Sequence, residues 1–259
     1  MAQAEITTGL PFIKTKSYVQ PMEMNRWMLR FARFLRVKPI CNAIFRLRWF
    51  YFVKICRRVK VYGDQSEVLA SEYSYKRIFI GRPSDRILKL IMPMSVIDRL
   101  TPESKILAIG CRFEADLLYL VGHGFHPQNV RGLDMISYSP WIDCGNMHAM
   151  PYADSAWDGV LIGWTLAYSN DEPAAAREIL RVVRSGGVIA LSVSWYPVET
   201  LRDLKERKAM AVEKIEERNQ TVESILNLFA PHVDHVYFSH DPSIRTKQGA
   251  CLVIFSVKK

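Results

Sequence analysis

The sequence predicts an α/β fold: a doubly wound, mostly parallel sheet with one antiparallel strand near an edge, preceded by a helical N-terminal extension. Three observations predict it. From about Leu107 to Val257, short apolar runs alternate with segments of helical periodicity, the pattern of helices packed on both faces of a parallel sheet. The last two apolar runs are joined only by the turn-rich DPSIRTKQG, which can link antiparallel neighbours but is too short for a parallel crossover. The net charge of +9 is also unevenly placed: residues 1–60 hold 13 Lys/Arg against Glu5 and Glu23, and the remainder holds 22 basic and 24 acidic residues.

The elements follow in order. Strands are expected at Lys105–Ile109, Val130–Leu133, Trp157–Ile162, Val188–Ser194, His235–Ser239 and Ala250–Ser256, each an apolar run of strand length. Helices are expected at Glu114–Gly122, Ala174–Val183, Glu199–Arg218 and Thr221–Phe229. Arg184-Ser185-Gly186-Gly187 after the second of these reads as a helix stop, with a basic last turn and glycine just beyond. The charge-dense 199–218 segment has a thin apolar stripe and an Asp203–Arg207 pair at i,i+4, and reads as a solvent-facing helix inserted at 195–219. The chain divides into a basic helical extension, 1–100, and an α/β domain, 101–259.

Composition narrows the function classes. With 49% hydrophobic and 24% charged residues over 259 positions, the chain can bury a large core. The five cysteines form no CxxC pair and no cluster with histidines, which argues against a disulfide framework or a structural metal site and for reduced cytosolic thiols. The N-terminus lacks the basic-then-apolar order of a signal peptide. No apolar run approaches the roughly 20 residues that span a bilayer. The expectation is a cytoplasmic protein, peripheral at most.

Four stretches carry chemistry. ILAIGC (106–111) is a strand ending in a glycine turn, and VRGLD (130–134) is a strand ending in an acid. GNMHAMPYADSAWDGVLIGW (145–164) is a polar turn running into a strand. AAAREILRVVRSGGVIALSV (174–193) is a helix, turn and strand. In this order and spacing they resemble the class I S-adenosylmethionine (SAM) dependent methyltransferases, type 11-like, a Rossmann-like superfamily. The resemblance covers Lys105 to Ser194 by motif and reaches Val257 by strand order.

The resemblance implies SAM as cofactor, held at the strand ends. Asp134, 24 residues after Gly110, would accept the ribose hydroxyls, near the spacing of about 20 found in dinucleotide folds, with Met135 beside it. Asn146 stands where the family usually has an acid; its amide can accept from the adenine amino group, while Met147 offers an apolar face to the purine and His148 follows. Trp164 would close the site. Pro151, Asp154 and Asp158 are expected to shape a turn rather than touch ligand. In the glycine loop, Ala108-Ile109-Gly110-Cys111-Arg112-Phe113-Glu114 replaces acid-x-Gly-x-Gly-x-Gly. Gly110 can still turn the chain, with Cys111 next to it. Glu114 is expected to pair with the ammonium of the cofactor's amino-acid end, and Arg112 with its carboxylate.

Methyl transfer depends chiefly on alignment, and an oxygen acceptor gains from a base, for which His148 and Tyr168 are candidates. Trp164, Tyr168, Trp195 and Tyr196 are candidate acceptor contacts. The chain has IGWTLAYSN after the fourth strand, not the Asn/Asp-Pro-Pro-aromatic motif of base methyltransferases, so small-molecule, glycan or lipid-linked acceptors are expected rather than nucleic acid. Residues 23–60 mix arginines with Trp, Phe and Leu at helical spacing, which suits a cap on the domain or an anionic membrane surface. Two other readings are a non-catalytic scaffold, favoured by the altered loop, and a peripheral membrane module acting through the N-terminus.

Overall fold

The computed structural model describes residues 32–63, 84, 86–197, 199–200, 221–243 and 247–259. In chain order, a short 3₁₀ turn, Arg33–Arg36, leads into α1 (Lys38–Trp49), which continues as a π-helical segment, Phe50–Ile55. There follow β1 (Lys60–Val61), α2 (Leu88–Met94), β2 (Ile106–Ile109), α3 (Glu114–Gly122), β3 (Val130–Asp134), β4 (Ile136–Ser137) and β5 (Ile142–Cys144). The chain goes on through β6 (Trp157–Gly163), α4 (Glu172–Val182), β7 (Val183–Trp195), α5 (Val222–Phe229), β8 (Val233–His240) and β9 (Gly249–Val257).

Seven strands form one sheet in the order β5-β3-β2-β6-β7-β9-β8. All neighbouring pairs from β5 to β7 are parallel, whereas β9 runs antiparallel to both β7 and β8. This is the expected fold class, with the reversed strand one place in from the edge. The strand order reverses between β2 and β6, and in open α/β sheets ligands bind beyond the strand ends at such a point.

The central strands read as continuous apolar runs because both of their faces are covered. Successive residues alternate between two cores: Ile106, Ala108, Leu161, Val188 and Ala190 pack with α1, α2 and α3. Leu107, Ile109, Val160, Ile162, Ile189 and Leu191 pack with α4 and α5 on the other side. The edge strand β8, VDHVYFSH, has no fully buried residue, and its polar composition is what an exposed edge requires.

Local signals explain the helix starts. Asp171 caps α4 by accepting from the Ala174 N–H at 2.9 Å, and Thr221 with Ser224 forms a reciprocal capping box at α5. The expected stop at residues 184–187 takes an unexpected form. Strand β7 begins at Val183, opposite Trp157, and the next paired residues are Val188 and Gly159. The turn is thus looped out within the strand, with Gly186 at φ +78°.

The basic segment is not separate from the α/β core. Cys41, Phe45 and Val53 share one buried cluster with α3 and β2. The three-residue β5 and the β1–β4 ribbon carry too few residues to show a period, and no strand was expected there. The expected helix over 199–218, with its Asp203–Arg207 pair, lies outside the described residues apart from Glu199 and Thr200, which are helical.

Candidate active site

At the end of β2, Gly110 takes φ +69°, and its N–H donates to the Leu133 carbonyl at 2.7 Å, extending the β2–β3 pairing. A Cβ here would overlap the Thr165 side chain, which leans in from the end of β6 and donates to the Gly163 carbonyl at 3.2 Å. Glycine is therefore required twice, by conformation and by space. Two residues on, Arg112 sits at φ +44°, in the left-handed region that side chains disfavour. Its N–H donates to Asp134 Oδ2 at 2.9 Å. The loop thus folds onto the end of β3, and the same carboxylate accepts the Ile136 N–H on Oδ1 at 2.9 Å.

Asp134 is half-buried. Burial lifts its carboxyl above the ordinary range, while the N–H groups of Ile136 and Arg112 pull it down. A carboxylate has about four lone-pair sites, so acceptor capacity remains for ribose hydroxyls. Asp116, in the first turn of α3, is an electrostatic neighbour of Asp134 that no motif marked. Burial raises its carboxyl well above the usual range, Arg86 and Arg112 oppose this, and the Asp134 charge adds to it. These four groups form one electrostatic cluster at the mouth of β2 and β3. Arg86, from the turn before α2, also stacks over the Trp164 ring, 4.6 Å from its centroid.

Glu114 is not available for the role expected of it. Its carboxylate is fully buried and accepts from Arg48 of α1 through Nε at 2.7 Å and Nη2 at 2.8 Å, and also from the Ser139 hydroxyl. Its backbone N–H donates to Tyr138 Oη at 2.9 Å. Glu114 consequently fastens α1 to the start of α3. No local pattern could show this pair, because Arg48 lies 66 residues away.

The polar turn after β5 is also internally engaged. Asn146 Oδ1 accepts from the His148 backbone N–H at 3.0 Å and lies 2.7 Å from His148 Nδ1. An amide oxygen only accepts, so Nδ1 carries the proton and Nε2, 2.7 Å from Ser169 Oγ, accepts from that hydroxyl. Ser169 is buried and, like Thr165, follows β6. Met147 is half-buried against the second core. Met135 uses its carbonyl to accept the Tyr62 N–H at 2.8 Å, and Cys111 is buried beneath the loop, where burial pushes its thiol well up.

Among the aromatic candidates, Tyr168 is exposed at the end of β6 and Tyr196 is half-buried after β7. Trp164 and Trp195 are buried. Trp164 has φ +61°, and its backbone N–H donates to the Ser192 carbonyl at 2.9 Å; the Arg86 guanidinium covers its face. In the turn before β6 and at its start, Asp154 pairs with Arg181 at 2.8 Å, and Asp158 accepts the Lys105 N–H and pairs with Arg184, both at 2.6 Å. Among the described residues, no three His, Cys, Asp or Glu side chains gather as a metal site, and no helix is long and apolar enough to cross a membrane.

Residues 107–191, which span the glycine turn, Asp134 and the 145–164 run, match a family model described as a methyltransferase domain. Over this third of its length the chain is similar to that methyltransferase family. No curated protein matches the chain significantly. Solved structures resemble the methyltransferase domain in fold. A chain of the complex between the Haloferax volcanii Trm112 methyltransferase activator and its methyltransferase is 16% identical, covering 76% of this chain and 99% of that one, with a TM-score of 0.50. The [4+2]-cyclase SpnF is 17% identical, with 67% and 81% covered and a TM-score of 0.50. A Galdieria sulphuraria protein, provisionally described as a sarcosine dimethylglycine methyltransferase, is 12% identical, with 66% and 84% covered and a TM-score of 0.50.

Proposed function

We propose that the protein transfers the methyl group of SAM to a small-molecule, glycan or lipid-linked acceptor, with the cofactor in the crevice beyond β2, β3 and β6. The observation that carries this reading is Asp134, a half-buried carboxylate at the end of β3 tied by the Arg112 N–H to the Gly110 turn. The residues fit the cofactor's ribose and amino-acid portions once one assignment is changed. Asp134 would take the ribose hydroxyls. Asp116, rather than Glu114, would hold the ammonium group, since its raised carboxyl reflects burial that a cation would offset. Arg112 and Arg86 flank that acid and would hold the carboxylate.

The cofactor supplies a methyl group already activated on a sulfonium, so the chain's task is alignment and the exclusion of water. His148 would hold a proton at Nε2, where Ser169 now donates, while Asn146 fixes the tautomer through Nδ1. A nitrogen or oxygen acceptor that displaced the Ser169 hydroxyl would meet His148 Nε2 within hydrogen-bond reach. A second reading, a methyltransferase-like fold without methyl transfer, is favoured by the commitment of Glu114 to Arg48 and by the existence of a cyclase on a similar fold.

Calorimetry with S-adenosylhomocysteine tests the proposal without knowledge of the acceptor. Saturable binding is expected, weakened about tenfold or more in Asp134→Asn and Asp116→Asn, as loss of a charge-assisted hydrogen bond implies, and little changed in His148→Ala. Folded protein that gives no binding signal at millimolar ligand would sink the proposal and leave the second reading.

A further inference from the structure

Helix α1 and its π-helical continuation have two apolar faces, and among the described residues only one packs into the fold. Cys41, Phe45 and Val53 are buried in the core shared with α3. Ile40, Ile44, Leu47 and Tyr51, at spacings of four, three and four, form a second stripe that is exposed, with Leu47 73% accessible; Ile55 extends it at 61%. Residues at these spacings lie along one side of a helix. A stripe of large apolar side chains facing water is unusual for a helix that already buries its other face.

The stripe's charge surroundings are one-sided. Residues 32–63 contain nine Lys/Arg and no Asp or Glu. Arg36 and Arg48 are turned toward the domain, on the Gly122 carbonyl and on Glu114. Arg33, Lys38, Arg46, Lys54, Arg57 and Arg58 are exposed. Leucine and isoleucine flanked by arginine and lysine match an anionic bilayer surface, where acyl chains receive the aliphatic groups and headgroups the cations. Nucleic acid would use the cations but leave Ile40, Ile44 and Leu47 in water. The helix lies on the surface rather than spanning, since Arg46 and Lys54 interrupt its length.

We infer that the exposed face of residues 37–58 is a docking surface for an anionic lipid bilayer, with α1 lying in the headgroup plane while its inner face stays on the domain. The inference stands on α1 alone and does not depend on the proposed activity, although it would place the crevice domain beside lipid-soluble acceptors.

Co-flotation with vesicles tests it, using phosphatidylcholine with and without about 30% phosphatidylserine at low and high salt. Binding to the anionic vesicles is expected, falling at least tenfold on neutral vesicles or at high salt. Ile44→Ser/Leu47→Ser should reduce it about tenfold or more through lost insertion, and Arg46→Glu/Lys54→Glu by a similar factor through charge. All four side chains are exposed, so circular dichroism and unfolding midpoints should be unchanged. Absence of vesicle binding would overturn the inference, as would equal binding to neutral and anionic vesicles. Two further results would also overturn it: a dimer in light scattering that Ile44→Ser/Leu47→Ser dissolves without any vesicle binding, or binding to duplex RNA that survives this variant while vesicles are ignored.

Discussion

Replacing Arg48 by methionine tests the way the N-terminal helix α1 is fastened to the start of α3, beside the loop after β2. The Glu114 carboxylate is 0% exposed, and its main partner is a guanidinium whose side chain is 34% exposed, held through two bonds of 2.7 and 2.8 Å. That guanidinium also lies over Trp141, 4.8 Å from the ring centroid. Methionine keeps much of the apolar stem but leaves Glu114 with the Ser139 hydroxyl alone. Breaking a buried pair from one side costs about 3–5 kcal/mol; partial exposure of Arg48 screens the pair and places the expectation near the low end, about 3 kcal/mol. The reverse change should be milder. Glu114→Gln still accepts from Arg48, whose outer face can turn to water, so about 1–2 kcal/mol is expected. Replacing both residues with methionine should recover part of the loss, because no buried charge remains. Urea unfolding followed by circular dichroism and tryptophan fluorescence gives these values. An Arg48→Met loss below about 1 kcal/mol, or one equal to that of Glu114→Gln, would refute the argument that the asymmetry of burial controls the pair.

Three other outcomes follow from the geometry. Gly110→Ala should destabilise the fold by about 1–3 kcal/mol in thermal or urea unfolding, since it forces a Cβ into the Thr165 side chain at φ +69°. Asp116 and Asp134 have carboxyls raised above the ordinary range, so the folded state binds more protons than the unfolded chain above an unfolded pKa of about 4. Stability should therefore fall as pH rises through that window toward the raised values, and Asp116→Asn should flatten the fall in urea titrations at stepped pH. Maleimide labelling of the native protein near neutral pH should mark exposed Cys56 first. Cys41, which burial pushes to about 12, and buried Cys111 should react only on unfolding, as peptide mapping would show.

The loop after β2 shows why some of the site could not be read in advance. Arg112 stands where the superfamily pattern has a glycine, yet its backbone keeps a left-handed φ of +44°. The Asp134 carboxylate stabilises that conformation by accepting the Arg112 N–H. Substitution therefore altered the side chain without abolishing the turn. Conformation at a single residue depends on a partner 22 positions away, and local propensity carries no information about such a partner.

The sequence by itself determined six of the seven strands of the main sheet, their mostly parallel arrangement, the antiparallel β9, and the placement of Gly110 and Asp134 at the ends of β2 and β3. These depend on hydrophobic period, turn residues and spacing, which are local quantities. Only the tertiary structure decided that Glu114 belongs to Arg48, that Asn146, His148 and Ser169 form one chain of hydrogen bonds, and that Asp116 and Arg86 share one electrostatic cluster with Arg112 and Asp134. It also showed that α1 buries Cys41 and Phe45 while exposing Ile44 and Leu47. Each of these depends on which distant group arrives first at a limited number of donors, acceptors or core positions. A carboxylate near a cofactor loop has several such partners open to it in sequence, and packing leaves it one.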